Sequence, residues 1–509
     1  MARVIVPKKT NLISSVLSES LSDFDPTTTY ASGEKIYVLI SDFAELITNG
    51  DCFFDSFETD GNEWSYDSTN TQYDCDASQV GVTKLYQEKT SSDIIDGEQY
   101  LIQFEVENYV AGNVAGYCGG AKSSNISADG VYQQLIDAGS SNNYIGVEGD
   151  ASFNGSITNV LVKKTGDNVQ RDIYESQQSQ AGNFPPWDVD NSYANWVRLE
   201  ASNRWKMFDD YTSTQSEFPA ASGALQVKVE AAKCDSYALF NVEGTNIQVI
   251  AVENSANYKG TSSTSLSIGQ GSTGTISTDA GKSWSAGDLI EIEYDTNKTQ
   301  WMVGEITSYN SDTGALVVDV TSARGGGTYS TWTIRYVYSD TTSSLYLAEV
   351  NSWSDYFFAE IRFAESKTDT FTISYDLQVR FVITGNSGQT IRCGHCLVGQ
   401  RRYLGKSQYG VSAGINDYST KETNTFGETY LEQGSYSKTN ELDIWIEKSS
   451  TDQIFTILSK LRSTPCAWDF NEGDTDYSTL VLYGFYQDYD ILMQDYAQTL
   501  ISIEIQGLT

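Results

Sequence analysis

Between Tyr100 and Val106 the chain reads YLIQFEV, with Tyr100, Ile102, Phe104 and Val106 on alternate positions. A period of two sends these four to one side and Leu101, Gln103 and Glu105 to the other, as in a strand. Strand patterns recur at Lys35–Ile40, Leu225–Val229, Tyr237–Val242, Ile247–Val252, Phe371–Val382, Leu480–Tyr486 and Leu500–Leu508. One stretch, Thr451–Arg462, has a helical period instead. There Ile454, Ile457, Leu458 and Leu461 share a face, Ser450 with Gln453 makes a capping box, and Pro465 follows the end. The expected fold is all-β: several β-sandwiches or jelly rolls with one C-terminal helix at about 451–462.

A chain of 509 residues is too long for one core, so three or four modules are expected. Its 33 Tyr suit half-buried pleated surfaces, and its 41 Gly suit turns. The 68 acidic residues against 32 basic ones give a formal net charge of -36, which repels phosphate backbones and argues against nucleic-acid binding. No run approaches the roughly 18 apolar residues of a membrane helix. The opening MARVIVPKKTNLISS has a basic flank but no apolar core, so no signal peptide is expected. The seven Cys (Cys52, Cys75, Cys118, Cys234, Cys393, Cys396 and Cys466) have irregular spacing, which fits free thiols made in a reducing cytoplasm.

Catalytic signatures are missing from the sequence. His395 is the only histidine, flanked by Gly394 and Cys396, and no G-x-S-x-G, P-loop or H-E-x-x-H occurs. No spacing singles out a carboxylate pair for glycoside hydrolysis. The chain is therefore not expected to be an enzyme, and a polysaccharide-degrading role is the least favoured reading. Cys393 and Cys396, with Cys466 as a further ligand, are candidate metal ligands, against the alternative of buried or turn thiols.

The densest apolar-aromatic passage is Asn195–Asp210 (NWVRLEASNRWKMFDD), expected to be the seam where an interrupted first module closes and the main sandwich begins. Phe24–Asp42 (FDPTTTYASGEKIYVLISD) resembles the start of small chitin-binding-type modules, especially those of bacteriophage tail proteins. The text that should follow it, Asp172–Gln177 (DIYESQ) with Phe184-Pro185-Pro186-Trp187, arrives only after residue 171. Between them an opening NGD-x-F at Asn49, the central YLIQFEV and a closing FNGSITNVLV at Phe153 look like carbohydrate-binding jelly rolls. Such jelly rolls are attached to polysaccharide hydrolases and to phage tail proteins. A second interruption carries SLSIGQG, AGDLI and WMVGEITSY, similar to a small module that recurs in phage tail and tail-fibre proteins. The remainder, with Ser202–Asp209, Gly399–Gly410, Asp417–Lys421, Tyr483–Asp488 and the closing IQGL, resembles phage tail-tip virion proteins.

These resemblances imply four modules: 1–45 with 165–194, a small chitin-binding-like module; 46–164, an inserted jelly roll; 195–256 with 337–509, the main sandwich; and 257–336, a small inserted barrel-like module. They imply a structural protein of a phage tail or tail tip, made in the host cytoplasm and carried in the virion. Its partners would be further copies of itself and neighbouring tail proteins; the alternative is a glycan-binding receptor or adhesion protein of the tail, with host surface polysaccharide as its ligand. The jelly-roll family often holds a structural calcium, for which Asp51 at the opening is the candidate; the closing acidic position is instead Thr158-Asn159. Trp64, Tyr66, Tyr117 and Tyr144 are candidate sugar-stacking residues, against the alternative that Trp64 and Tyr66 fill the core. Trp205, Phe208, Arg401 and Arg402 are candidate assembly contacts, and an aromatic knot is expected at Trp353, Tyr356, Phe357 and Phe358.

Overall fold

The computed structural model describes the chain outside residues 1, 42–43, 53–54, 60–62, 166–167, 183, 186–194, 347–352, 355–364, 409, 424, 472–477, 494–497 and 509. Strands dominate it, with the helix Thr451–Lys460 near the C-terminus, so the all-β expectation holds. Two compact units form: residues 1–18 with 203–509, and residues 19–202.

In the smaller unit, strand Lys35–Ile40 pairs antiparallel with Gln170–Ser176, with Ile40 opposite Gln170 and Tyr37 opposite Ile173. Gln170–Ser176 pairs in turn with Trp196–Ala201. The fully buried Trp196 holds this three-stranded sheet on its aromatic side, with its ring 5.2 Å from Tyr30 and 6.2 Å from Phe24. The seam stretch is thus divided: Trp196–Ala201 completes the first module's sheet, and the chain enters the larger unit at Asn203. Trp187 and Pro186 lie outside the described residues.

Residues between these pairing strands build two facing five-stranded sheets. One runs Gly130–Asp137, Gln99–Ala111, Asn154–Lys164, Gln72–Asp76, Trp64–Asp67. The other runs Ala121–Lys122, Val114–Cys118, Tyr144–Gly149, Thr83–Glu88, Glu58–Thr59. Tyr100, Ile102, Phe104 and Val106 enter the core between them. Leu101, on the opposite face, packs with Leu39 and Val169, so both faces of that strand are used.

The larger unit contains two ten-stranded sheets. Ala2–Pro7 lies between Thr390–Ser407 and Cys466–Asp469, so the chain's first strand belongs to this unit. A short strand, Leu12–Ser15, pairs with Leu225–Glu230 and buries Leu12 and Ile13. The strand expected over Phe371–Val382 begins only at Leu377, because Tyr375-Asp376 is a turn; Phe371 stacks on Tyr237 instead. Residues 257–336 have their own core around Trp284, Met302 and Trp332. Their sheet, however, is continuous with the main one. Strand Trp332–Ser344 runs across 336–337 and pairs with both Leu289–Tyr294 and Asn246–Glu253.

This sheet curls until strand Leu289–Tyr294 faces Leu225–Glu230 and Leu377–Thr384, and five charged side chains meet there. Lys228 Nζ lies 2.7 Å from Glu291 Oε2 and 2.7 Å from Glu293 Oε2. Arg335 Nη1 reaches Glu293 Oε1 at 2.8 Å, Arg380 Nε reaches Glu291 Oε1 at 2.7 Å, and Arg380 Nη2 also donates to Glu293. All five are buried. Arg380 also donates to the Lys298 carbonyl, and its guanidinium lies 5.3 Å from the Trp301 ring.

The helix buries Ile454, Leu458 and, just past its end, Leu461, with Ile457 half-buried. The expected capping box is not made. A 3-10 turn at Lys448–Ser450 puts Ser450 in helical backbone (φ -97, ψ -5), and its side chain makes no cap hydrogen bond. An N-cap needs extended backbone for its oxygen to reach the amides two and three residues on.

Candidate binding surfaces

The outer face of the jelly-roll sheet containing Thr83–Glu88 and Tyr144–Gly149 carries a tyrosine cluster. Strand alternation sends Leu85, Ile145 and Val147 inward and leaves Lys84, Tyr86, Tyr144 and Glu148 outward. Tyr86 and Tyr144 stack with centroids 4.1 Å apart, both half-buried. Gly146 lies opposite both Tyr86 and Tyr117 in the ladders; a Cβ there would stand 2.1 Å from the Leu85 carbonyl, so the floor between the rings stays open. Glu148 lies 3.9 Å from Lys84 Nζ and 3.4 Å from Lys122 Nζ. A half-exposed aromatic pair rimmed by hydrogen-bonding charges is the chemistry that holds a sugar ring, whose axial C–H face is apolar and whose hydroxyls point outward.

Of the four residues expected to stack sugars, Tyr144 lies in this cluster and is half-exposed. Tyr117 is on the same face but only 5% exposed: Lys84 Nζ covers its ring at 5.3 Å, and its hydroxyl accepts from Asn142 Nδ2 at 2.6 Å. Trp64 is a core residue, 5% exposed, packed on Phe153 with Nε1 donating to Thr83 Oγ1 at 3.0 Å. Tyr66 packs against Tyr73 and donates its hydroxyl to the Cys52 carbonyl at 3.0 Å. Both therefore take the core alternative. Tyr86 went unnoticed in the sequence, although the alternation of TKLYQE places it with Lys84 and Glu88 on the solvent side.

The candidate metal ligands are not brought together. Cys393 and Cys396 both lie on strand Thr390–Ser407, where a separation of three sends side chains to opposite faces. Cys466 belongs to a different strand and packs in the helix-side core. Burial pushes the Cys393 and Cys466 thiols up to about 12. At the jelly-roll opening Asp51 is exposed, while Thr158 Oγ1 donates to the Thr71 carbonyl and Asn159 Nδ2 to Glu105. Among the described residues no three His, Cys, Asp or Glu side chains gather as a metal site.

His395 is buried, stacked on Tyr483 at 4.0 Å, and its Nδ1 has no hydrogen-bond partner among the described residues. Burial lowers its pKa to about 4. The unfolded chain takes up this proton near pH 6.5 and the folded chain only near 4, so the group withdraws stability as pH falls through that window. His395→Phe is expected to flatten the loss of stability between pH 6.5 and 4, read from urea midpoints across that range.

The expected assembly contacts fare unevenly. Trp205 is 6% exposed and packs on Phe208, so it cannot reach a neighbouring molecule, and Phe208 is half-buried. Arg401 is half-buried over the Tyr403 ring at 5.1 Å, whereas Arg402 is exposed. Trp353 is exposed; Tyr356, Phe357 and Phe358 lie outside the described residues.

A more prominent surface is an arm at 411–436. Strand Ser412–Asp417 pairs with Tyr436–Glu447 at the edge of the sheet, and Thr420–Thr423 with Thr429–Glu432 forms a separate two-stranded ribbon beyond it. Every residue of Ser412–Asp417, Thr420–Thr423 and Thr429–Glu432 is exposed. Ile415, Tyr418, Phe426, Tyr430 and Leu431 are among the exposed apolar residues, Phe426 at 90%. Among the described residues no helix is long and apolar enough to cross a membrane. The chain matches no known protein family and no curated protein.

Proposed function

We propose that this chain is a structural component of a bacteriophage tail or tail tip, working as a symmetric assembly of identical copies beside other tail proteins. The observation that carries the assembly of copies is the arm. An isolated two-stranded ribbon is marginally stable in water, and natural sheets rarely leave apolar edges uncovered. An exposed ribbon bearing Phe426, Tyr430 and Leu431 is accounted for by a protein surface that covers it in the working particle. The tail assignment rests on the four sequence resemblances. Mass spectrometry of purified virions tests it: the chain is expected in stoichiometric amounts with the other tail proteins, and its absence ends the reading.

The tyrosine cluster favours a second, compatible reading, in which the jelly roll attaches the particle to host surface polysaccharide. On a glycan array probed with the full chain, Tyr86→Ala combined with Tyr144→Ala is expected to abolish the signal while the fold is kept, the lost stack costing about 0.5–1.5 kcal/mol. Trp64→Ala, by contrast, is expected to cost about 3–5 kcal/mol of stability as a buried aromatic deletion. Signal unchanged in the double tyrosine variant would remove sugar binding from this face.

A further inference from the structure

We propose that the arm of one copy docks in a basic groove of the next, joining copies head to tail; this rests on reading the chain as an assembly of identical copies. The groove has a volume of about 700 Å³ and lies between the end of strand Ala2–Pro7, the turn at 232–234, strand Thr390–Ser407 and the helix. Lys8, Lys233, Arg402 and Lys460 line it, with Val6 and Ile457 among its apolar residues. In a chain of formal net charge -36, four cations around one cavity run against the whole background.

These cations are only partly engaged within the chain. Lys8 Nζ lies 2.7 Å from Glu230. Lys233 Nζ lies over the Tyr375 ring at 5.8 Å, and Arg402 Nη2 donates to Gln400 Oε1 at 2.5 Å; neither of these contacts is to a carboxylate.

The arm is complementary on both counts. Residues 411–436 hold four acids (Asp417, Glu422, Glu428, Glu432) against one base (Lys421), a net charge of -3 by subtraction. Phe426, Tyr430 and Leu431 supply apolar side chains for an apolar floor. Because the arm strands are exposed throughout, the arm does not fill its own molecule's groove. Arm and groove are different surfaces, so their contact is heterologous and generates a ring when the rotation closes. Acids facing cations fix the arm's orientation and make association fall with salt.

Size-exclusion chromatography with light scattering on the full chain tests this. The arm variant carries Phe426→Ser and Leu431→Ser. The groove variant carries Lys233→Glu, Arg402→Glu and Lys460→Glu. All of these side chains are exposed, and near-ultraviolet circular dichroism checks that both variants keep the native fold. The wild type is expected to assemble. Each variant alone is expected to run as a monomer at concentrations where the wild type is assembled. Mixing the two is expected to yield a heterodimer, because one intact arm then meets one intact groove. A groove variant that assembles like wild type, or a mixture that stays monomeric, overturns the arm–groove contact while leaving assembly standing. A wild type that is monomeric at its highest soluble concentration overturns both.

Discussion

Glu293→Ala will cost the larger unit about 3–5 kcal/mol, the usual penalty for removing one partner from a buried ion pair. The reason lies in what remains. Lys228, Arg335 and Arg380 would then face a single carboxylate, Glu291, in a site where all five side chains are buried. Water cannot compensate them, so the cost is that of the stranded cations and exceeds the worth of the hydrogen bonds removed. Exchanging the whole cluster for apolar residues of similar volume should be far milder, and even neutral. Calorimetry of the full chain, resolving the larger unit's transition, distinguishes the two outcomes. A loss below about 1 kcal/mol for Glu293→Ala, the range of exposed pairs, would mean that solvent reaches the cluster.

The same cluster gives a pH signature. Burial pushes the Glu291 and Glu293 carboxyls up, but Lys228, Arg335 and Arg380 outweigh it, so both lie below their ordinary 4.5. Their contribution is complete above about pH 4.5 and is lost as pH falls below it, because the unfolded chain accepts protons that the folded one refuses. Lys228 runs the other way: burial first, then Arg335 and Arg380, lower it from 10.5 to about 8 against the pull of the two glutamates. Its burial therefore withdraws stability as pH falls from 10.5 to 8.

Trp196→Ala will cost the smaller unit about 3–5 kcal/mol. The indole is fully buried and meets Phe24 and Tyr30 edge-on, and among the described residues it sits on the third strand of a three-stranded sheet. Removing it leaves Tyr30, Phe24 and Tyr174 around a void in a core too small to close over it. Amide exchange is the measurement: amides of Lys35–Ile40 and Gln170–Ser176 should lose protection first, ahead of those in the larger unit. Equal loss throughout the chain would show that the units melt as one.

What the sequence disclosed follows from which signals are local. Tyr100–Val106 declared itself because every second side chain enters one core, and the helix because Ile454, Leu458 and Leu461 repeat along one face. Ser450 misled because the 3-10 turn before it changes the backbone on which a cap depends. Trp64 stayed open between two readings because an aromatic residue reads the same on a sugar platform and in a core; its burial decides for the core. The charge cluster was invisible for a different reason. In LQVKV and LIEIEY the charged positions alternate like a solvent face, and only the curl of the sheet brings Lys228 to glutamates 63 and 65 positions away. The Tyr86–Tyr144 pair likewise needs two strands 58 positions apart.

Ile40 and Gln170 stand directly across a ladder from one another. Everything between them therefore leaves and rejoins at a single doorway, one strand spacing wide. Any folded segment whose two ends lie about 5 Å apart could hang there without disturbing the lintel. A lineage built on this scaffold can trade the jelly roll for another attachment while the frame that holds it stays the same.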